Sequence, residues 1–186
     1  MLQRWKKLSS ELVVKNPWWT YMKDTFRIPS GHEGEYHYVH TNGSSMIIPV
    51  TDDGRIILVN QYRFLCDRES LELPCGGIKE GKTPAEMAKI ELEEETGFTC
   101  NTLDFAGSFN PFNGVTTESC YVFVARALSP VDVAPDPTEE FEVLALTLGE
   151  IEAKTATNEI WDGMTLAALA LGRKMLGAQS EPFNLT

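Results

Sequence analysis

Short stretches of alternating or continuous apolar residues, interrupted by two segments of helical period, predict a mixed β and α protein. Residues 36–40 (Tyr-His-Tyr-Val-His) and 45–50 (Ser-Met-Ile-Ile-Pro-Val) read as strands; before them the periodicity is weak. Asp52-Asp53-Gly54 is a turn signal, and residues 55–62 are expected to return as the second strand of a hairpin. Residues 119–125 and 141–147 read as further buried strands. The clearest element is a helix opened by Thr83-Pro84-Ala85-Glu86, a capping box with proline at the first helical position, and closed by Gly97. Ala85, Ala88 and Leu92 give it a narrow apolar stripe, small enough to sit close to a sheet. A second amphipathic helix is expected from Asp162 to Leu176. Residues 130–137 (PVDVAPDP) form a proline- and aspartate-rich loop, and the tail at residues 177–186 is expected to be loosely ordered.

Composition narrows the function classes. A chain of 186 residues, 42% hydrophobic, is long enough to bury a core of its own. The net charge of −11 argues against a long nucleic acid or an anionic membrane as partner, since both require basic surfaces. A phosphorylated small molecule stays open, because a bound cation inverts the local field. Cys66, Cys75, Cys100 and Cys120 show neither CxxC pairing nor zinc-type spacing, so reduced thiols and a cytoplasmic location are expected. The N-terminal MLQRWKKLSS lacks the apolar run of a signal peptide, and no window approaches the length of a membrane span.

The chemistry concentrates in residues 76–98, GGIKEGKTPAEMAKIELEEETGF. Glu91, Glu94 and Glu95 fall at i, i+3 and i+4 of the predicted helix, hence on one face. Carboxylates crowded this way repel one another unless a positive group sits among them. Hard oxygen ligands suit Mg²⁺ or Mn²⁺, which commonly bind together with substrate phosphates. The alternative is a solvated acidic helix face, which charge runs usually are.

The spacing resembles the Nudix box: glycine, five residues, Glu, seven residues, Arg-Glu, an aliphatic residue, any residue, Glu-Glu, any residue, Gly, an aliphatic residue. Anchored on Gly76, the chain supplies Glu91, Leu92, Glu94, Glu95, Gly97 and Phe98 in the family's places. Flanking segments extend the resemblance toward the ADP-ribose and nucleotide-sugar pyrophosphatase branch. These are residues 16–19 (Asn-Pro-Trp-Trp), Gln61-Tyr62-Arg63, Glu72-Leu73-Pro74, Asn113-Gly114 with Glu118, residues 139–143, and Asp162-Gly163-Met164-Thr165. Two positions depart from the pattern: Lys82 stands where the box has Glu, and Ile90 where it has Arg. In relatives that pair holds the loop to the helix; losing both together leaves no uncompensated charge.

The resemblance implies a Nudix α/β/α sandwich, α+β in class, with a mixed sheet at residues 45–176 and an N-terminal antiparallel β subdomain at residues 1–44 that mediates a homodimer. The implied activity is cation-dependent hydrolysis of a nucleoside diphosphate sugar. Glu91, Glu95 and the carbonyl of Cys75 would bind Mg²⁺, with Mn²⁺ as substitute, and Glu94 would complete the acidic cluster. Gly76 and Gly77 would let the backbone approach the phosphates. Glu139 matches the position of the general base, with a solvated loop acid as the alternative. Arg63 and Glu72 are implied at the substrate, Arg63 offering a bidentate fork to phosphate unless it is a plain strand-end arginine. Glu118 fits a ribose or metal contact, or simply a strand-start acid. Trp18, Trp19, Tyr21, Phe26 and Tyr38 are candidates for stacking on the base, core packing being the other use for each. Asn113 stands where ADP-ribose hydrolases often carry proline, which favours nucleotide sugars generally over ADP-ribose alone. Two rivals remain: a different nucleotide class (dinucleotide or nucleoside triphosphate), and a binding or sensory module without turnover.

Overall fold

A computed structural model describes residues 2–132 and 142–177. Contacts divide the chain into two compact units, Met1–Gly43 with Asn110–Ser119, and Ser44–Phe109 with Cys120–Thr186.

The first unit is built on an antiparallel sheet in the order β1 (Lys6–Lys15), β2 (Thr20–Arg27), β3 (Glu33–His40). The Asn16-Pro17-Trp18-Trp19 motif makes the β1–β2 turn: the Asn16 side-chain carbonyl accepts the N–H groups of Trp18 and Trp19 at 2.9 and 2.8 Å. The Asn110–Ser119 segment is laced to β3, with Val39 N–H donating to the Val115 carbonyl at 2.8 Å and Thr117 N–H to the Val39 carbonyl at 3.0 Å.

Among its described residues the second unit holds two sheets and three α-helices. Its strands are β4 (Ser44–Pro49), β5 (Ile56–Arg63), β6 (Arg68–Glu72), β7 (Cys75–Gly77), β8 (Phe98–Phe109), β9 (Cys120–Pro130) and β10 (Glu142–Leu146). One sheet runs β7-β4-β9-β8 and the other β10-β5-β6. The central β4–β9 pair is parallel, with Met46 opposite Val122 and Ile48 opposite Val124, so it is buried on both faces. The alternation sorts these faces. Ile47, Phe123 and Ala125 pack with Ala88 and Leu92 of α1 (Pro84–Thr96). Met46, Ile48, Val122 and Val124 pack with Ile56 and Leu58 of β5, Ile151 of α2 (Leu148–Ala156) and Ala168 of α3 (Gly163–Gly172). The expected layered α+β architecture, a mixed sheet between helices, is therefore present.

The expected α1 boundaries hold. Thr83 Oγ1 accepts the Glu86 N–H at 3.2 Å, and the Glu86 carboxylate accepts the Thr83 N–H at 2.8 Å. Gly97 closes the helix at φ +71°, its N–H donating to the Glu93 carbonyl. Three expectations are corrected. The turn at residues 51–55 exists, but β4 and β5 do not form a hairpin. They lie in different sheets and share one bridge, Val50–Ile56, because β4 pairs with β7 and β9 while β5 pairs with β6 and β10. Ala85 is exposed, and Met87 takes the buried place beside Ala88 and Leu92. Finally, α3 stops at Gly172, short of Leu176. Helix α2 and strands β1, β2, β6, β7 and β8 are not among the elements expected from the sequence. The loop from residue 133 onward and the tail from residue 178 lie outside the described residues.

Candidate functional site

The box helix turns two of its acids inward. Glu91 and Glu95 are one turn apart and only 9% and 7% exposed, while Glu94, three residues from Glu91, faces solvent. The buried pair meets the short strand β7. Cys75 N–H donates to Glu95 Oε2 at 3.2 Å. Gly76 faces Glu91 so closely that a Cβ there would overlap both oxygens of its carboxylate, so any larger residue would have to displace that side chain. No such clash exists at Gly77. Ser45 Oγ donates to the Pro84 carbonyl at 2.8 Å and ties the start of α1 to β4, so helix and strand keep a fixed distance.

Cys75 contributes backbone rather than sulfur chemistry. Its thiol is pushed well above the usual value, first by a hydrogen bond with Cys120, then by burial and by the charges of Glu95 and Glu91. It stays a neutral thiol. Among the described residues no three His, Cys, Asp or Glu side chains form a coordinating group. The two buried carboxylates, one accepting the Cys75 N–H and the other facing Gly76, nevertheless fit a divalent cation of the kind that takes one or two protein carboxylates and fills its remaining positions with water and substrate phosphate.

The hairpin β5–β6 provides the second half. Arg63 Nε donates to Glu72 Oε1 at 2.8 Å and its terminal nitrogen pairs with Glu72 Oε2, a bidentate clamp on a carboxylate that is 3% exposed. The hydrogen bond to Glu72 raises the Arg63 guanidinium above its ordinary value against partial burial, and the nearby charges of Asp162 and Glu95 add to it. Arg63, Glu72, Asp162 and Glu95 thus share one electrostatic neighbourhood. The box departures are solvent-side: Lys82 is exposed, its charge felt by Glu86, and Ile90 is half-buried.

The remaining candidates belong to the first unit or fall outside the described residues. Glu118 belongs to the first unit, its N–H on Thr116 Oγ1 at 3.3 Å and its carbonyl accepting from Asn110. Glu139 lies outside the described residues. In the first unit Trp18 is 80% exposed, so it does not serve as core. Phe26 stacks on Trp5 at 4.6 Å and Tyr21 on His37 at 5.9 Å. Tyr38, with Tyr36, Asp24, Lys7 and Asn113, lines a pocket of about 290 Å³. Of these lining residues the sequence had singled out Tyr38 for stacking; Tyr36 was visible two positions away on the same strand face, the signal that would have found it.

Comparison with known proteins agrees with this geometry. Residues 40–167 match the NUDIX domain family. The chain is 30% identical to a methanol dehydrogenase activator of Bacillus methanolicus over 78% of this chain and 80% of that protein. It is 32% identical to an ADP-ribose pyrophosphatase of Bacillus subtilis, over 80% of this chain and 81% of that one. A crystal structure of an ADP compounds hydrolase superposes with a TM-score of 0.84 at 25% identity, covering 97% of this chain and 98% of the other. With the box, the buried Glu91–Glu95 pair and these matches together, the chain belongs to the Nudix family of hydrolases.

Proposed function

We propose that this chain hydrolyses the diphosphate of a nucleoside diphosphate linked to a sugar, ADP-ribose-like, to a nucleoside monophosphate and a sugar phosphate. The observation that carries the reading is the buried Glu91–Glu95 pair set against Gly76 and Cys75. Similarity to a protein named ADP-ribose pyrophosphatase and to one named ADP compounds hydrolase supports the substrate class.

Diphosphate hydrolysis must bring water to phosphorus already ringed by negative oxygens. Glu91, Glu95 and the Cys75 carbonyl would hold a divalent cation, Mg²⁺ or Mn²⁺, which neutralises phosphate charge and lowers the pKa of bound water. The remaining work falls to the chain's own groups. Gly76 keeps the backbone bare beside Glu91, so the phosphates are not fended off by a side chain. Glu72 orients the Arg63 fork, whose half-exposed outer edge is available to a substrate oxygen. Glu94, exposed on the adjoining helix surface, is assigned to complete the acidic cluster, as the resemblance implies. Glu139 is assigned proton abstraction from the attacking water, as the resemblance implies. Glu118 is assigned to the ribose and one of Trp18, Trp19, Tyr21, Phe26 and Tyr38 to the base, as the resemblance implies.

A homodimer and a cytoplasmic location belong to the same proposal. Strand β1 is exposed along all ten residues, with Leu8, Leu12 and Val14 among them, an edge suited to a second copy. Four free thiols fit a reducing compartment. No helix among the described residues is long and apolar enough to cross a membrane.

The test is product release from nucleotide sugars, ADP-ribose, dinucleotides and nucleoside triphosphates, with Mg²⁺ or Mn²⁺ and with EDTA. Cation-dependent cleavage of nucleotide sugars is expected. Cleavage confined to triphosphates or dinucleotides would displace the substrate assignment, and turnover that persists in EDTA would remove the cation from it.

A further inference from the structure

Both halves of the site hang on one stretch of chain. Residues 72–77 carry the Glu72 partner of Arg63 at one end, and at the other the Cys75 N–H on Glu95 and the bare Gly76 beside Glu91. Between them lie Leu73 and Pro74. Proline has no N–H, so the Leu73 amide is the only backbone donor between Glu72 and Cys75. That amide is spent on Thr165: Leu73 N–H donates to Thr165 Oγ1 at 3.0 Å, where Thr165 is 0% exposed. The Pro74 carbonyl accepts the Ile47 N–H at 2.9 Å, so the stretch is pinned to β4 on one side and to α3 on the other.

Thr165 is itself held. Its N–H donates to the Asp162 side chain at 2.7 Å, the N-cap of α3. One residue earlier, Trp161 Nε1 donates to the Glu69 carbonyl at 3.1 Å, and the Arg68 guanidinium lies over its ring at 3.7 Å. The start of α3 thus grips the β6 strand at Glu69 and its continuation at Leu73.

We infer that Thr165 is a positioning residue: its hydroxyl sets the Leu73–Pro74 link so that the Arg63–Glu72 clamp and the Glu91–Glu95 pair keep their separation. The inference rests on the proposed function for the meaning of those two groups, and its test separates the two. Threonine rather than valine is needed, because an isosteric methyl leaves the Leu73 amide buried without an acceptor. The stretch would then shift to find water or another partner, moving Cys75 and Glu72 together.

The variants are Thr165→Val, Thr165→Ser and, as a core control away from this link, Ile151→Val. Mn²⁺ affinity of the substrate-free protein is read by electron paramagnetic resonance, alongside Tm and the KM and kcat for the best substrate. Thr165→Val should weaken Mn²⁺ binding on the order of 10- to 100-fold, as removing an orienting partner of metal ligands does, and raise KM. Thr165→Ser should restore both, while Ile151→Val lowers Tm and leaves both unchanged. Should Thr165→Val not fold, Thr165→Ala, which lets water reach the Leu73 amide, takes its place with the same expected direction. Wild-type Mn²⁺ affinity and KM in the Val or Ala variant, whatever its Tm, would overturn the inference. So would a Ser variant as impaired as Val. A wild type that binds Mn²⁺ but cleaves no nucleotide would refute the proposed function, and the Mn²⁺ series would still decide the role of Thr165.

Discussion

Gly76→Ala probes the site where backbone and carboxylate come closest. A Cβ at position 76 would lie well inside 3.0 Å of both Glu91 oxygens and its Cδ, whereas nonbonded heavy atoms settle near ~3.5 Å. The carboxylate must retreat by roughly 1 Å, and at 9% exposure it has little room to do so. Overpacking of this kind costs about 1–3 kcal/mol, a fall in Tm of roughly 2–12 °C for a chain of this size. The effect on function is larger in kind. A misplacement of about 1 Å among reacting groups costs on the order of 100-fold in rate, equivalent to about 2.7 kcal/mol of barrier. Gly172→Ala is the matched control: its Cβ would also fall inside 3.0 Å of a neighbour, but that neighbour is Ile48 Cδ1 in the apolar core. It should lower Tm comparably and leave kcat at the wild-type value. The assay is kcat at saturating substrate and cation, with Tm by scanning calorimetry and Mn²⁺ affinity measured on the same samples. If Gly76→Ala keeps wild-type kcat and Mn²⁺ affinity, the close approach to Glu91 has no part in holding the cation, and the reasoning fails.

Four further outcomes are expected. Glu95→Gln should keep the fold, because the amide oxygen still accepts the Cys75 N–H, and lose turnover on the order of 100-fold or more; unchanged kcat would remove Glu95 from the mechanism. Arg63→Ala should destabilise by about 1–2 kcal/mol, below the figure for a fully buried pair because the arginine is half exposed, and adding Glu72→Gln should recover part of that in denaturant titrations. A double mutant no more stable than the single would argue against the ion pair. The third concerns pH. Burial pushes the Asp24 carboxyl up, but hydrogen bonds from Lys7, Ser10 and Tyr38 outweigh it and hold it below the usual value. A depressed folded-state pKa contributes stability that is present above about pH 4 and is lost as pH falls through the folded value. Asp24→Asn should therefore flatten the acid limb of the stability curve, and an unchanged limb would show that the acid sensitivity arises elsewhere. Finally, Lys82→Glu with Ile90→Arg should preserve or raise activity if those positions only fasten the loop; a large loss would show that this chain uses them differently.

The sequence alone determined what depends on neighbours within one turn of helix. The Thr83–Glu86 capping box, Pro84 and the Gly97 stop act over at most four residues, so α1 and its acidic face were legible, as was the family. The same local spacing could not rank Glu91, Glu94 and Glu95. Burial of two and exposure of the third was decided by where α1 rests on β4 and β7, through contacts 39 and 20 residues apart in the chain. Strand pairing failed locally for the same reason. The turn at residues 51–55 was visible, yet β4 found its partners at Cys75–Gly77 and Cys120–Pro130, and pairing partners are chosen by the packed core rather than by the nearest turn. The sequence offers Arg63 as a fork for phosphate or a plain strand-end arginine; only the folded hairpin shows it clamped on Glu72, nine residues away. Thr165 was legible only as part of the Asp162–Thr165 segment of the family resemblance, with no sign of what its hydroxyl holds. Its partner, the Leu73 amide, lies 92 residues earlier, and a hydrogen bond across that distance exists only once the sheet and α3 have closed on each other.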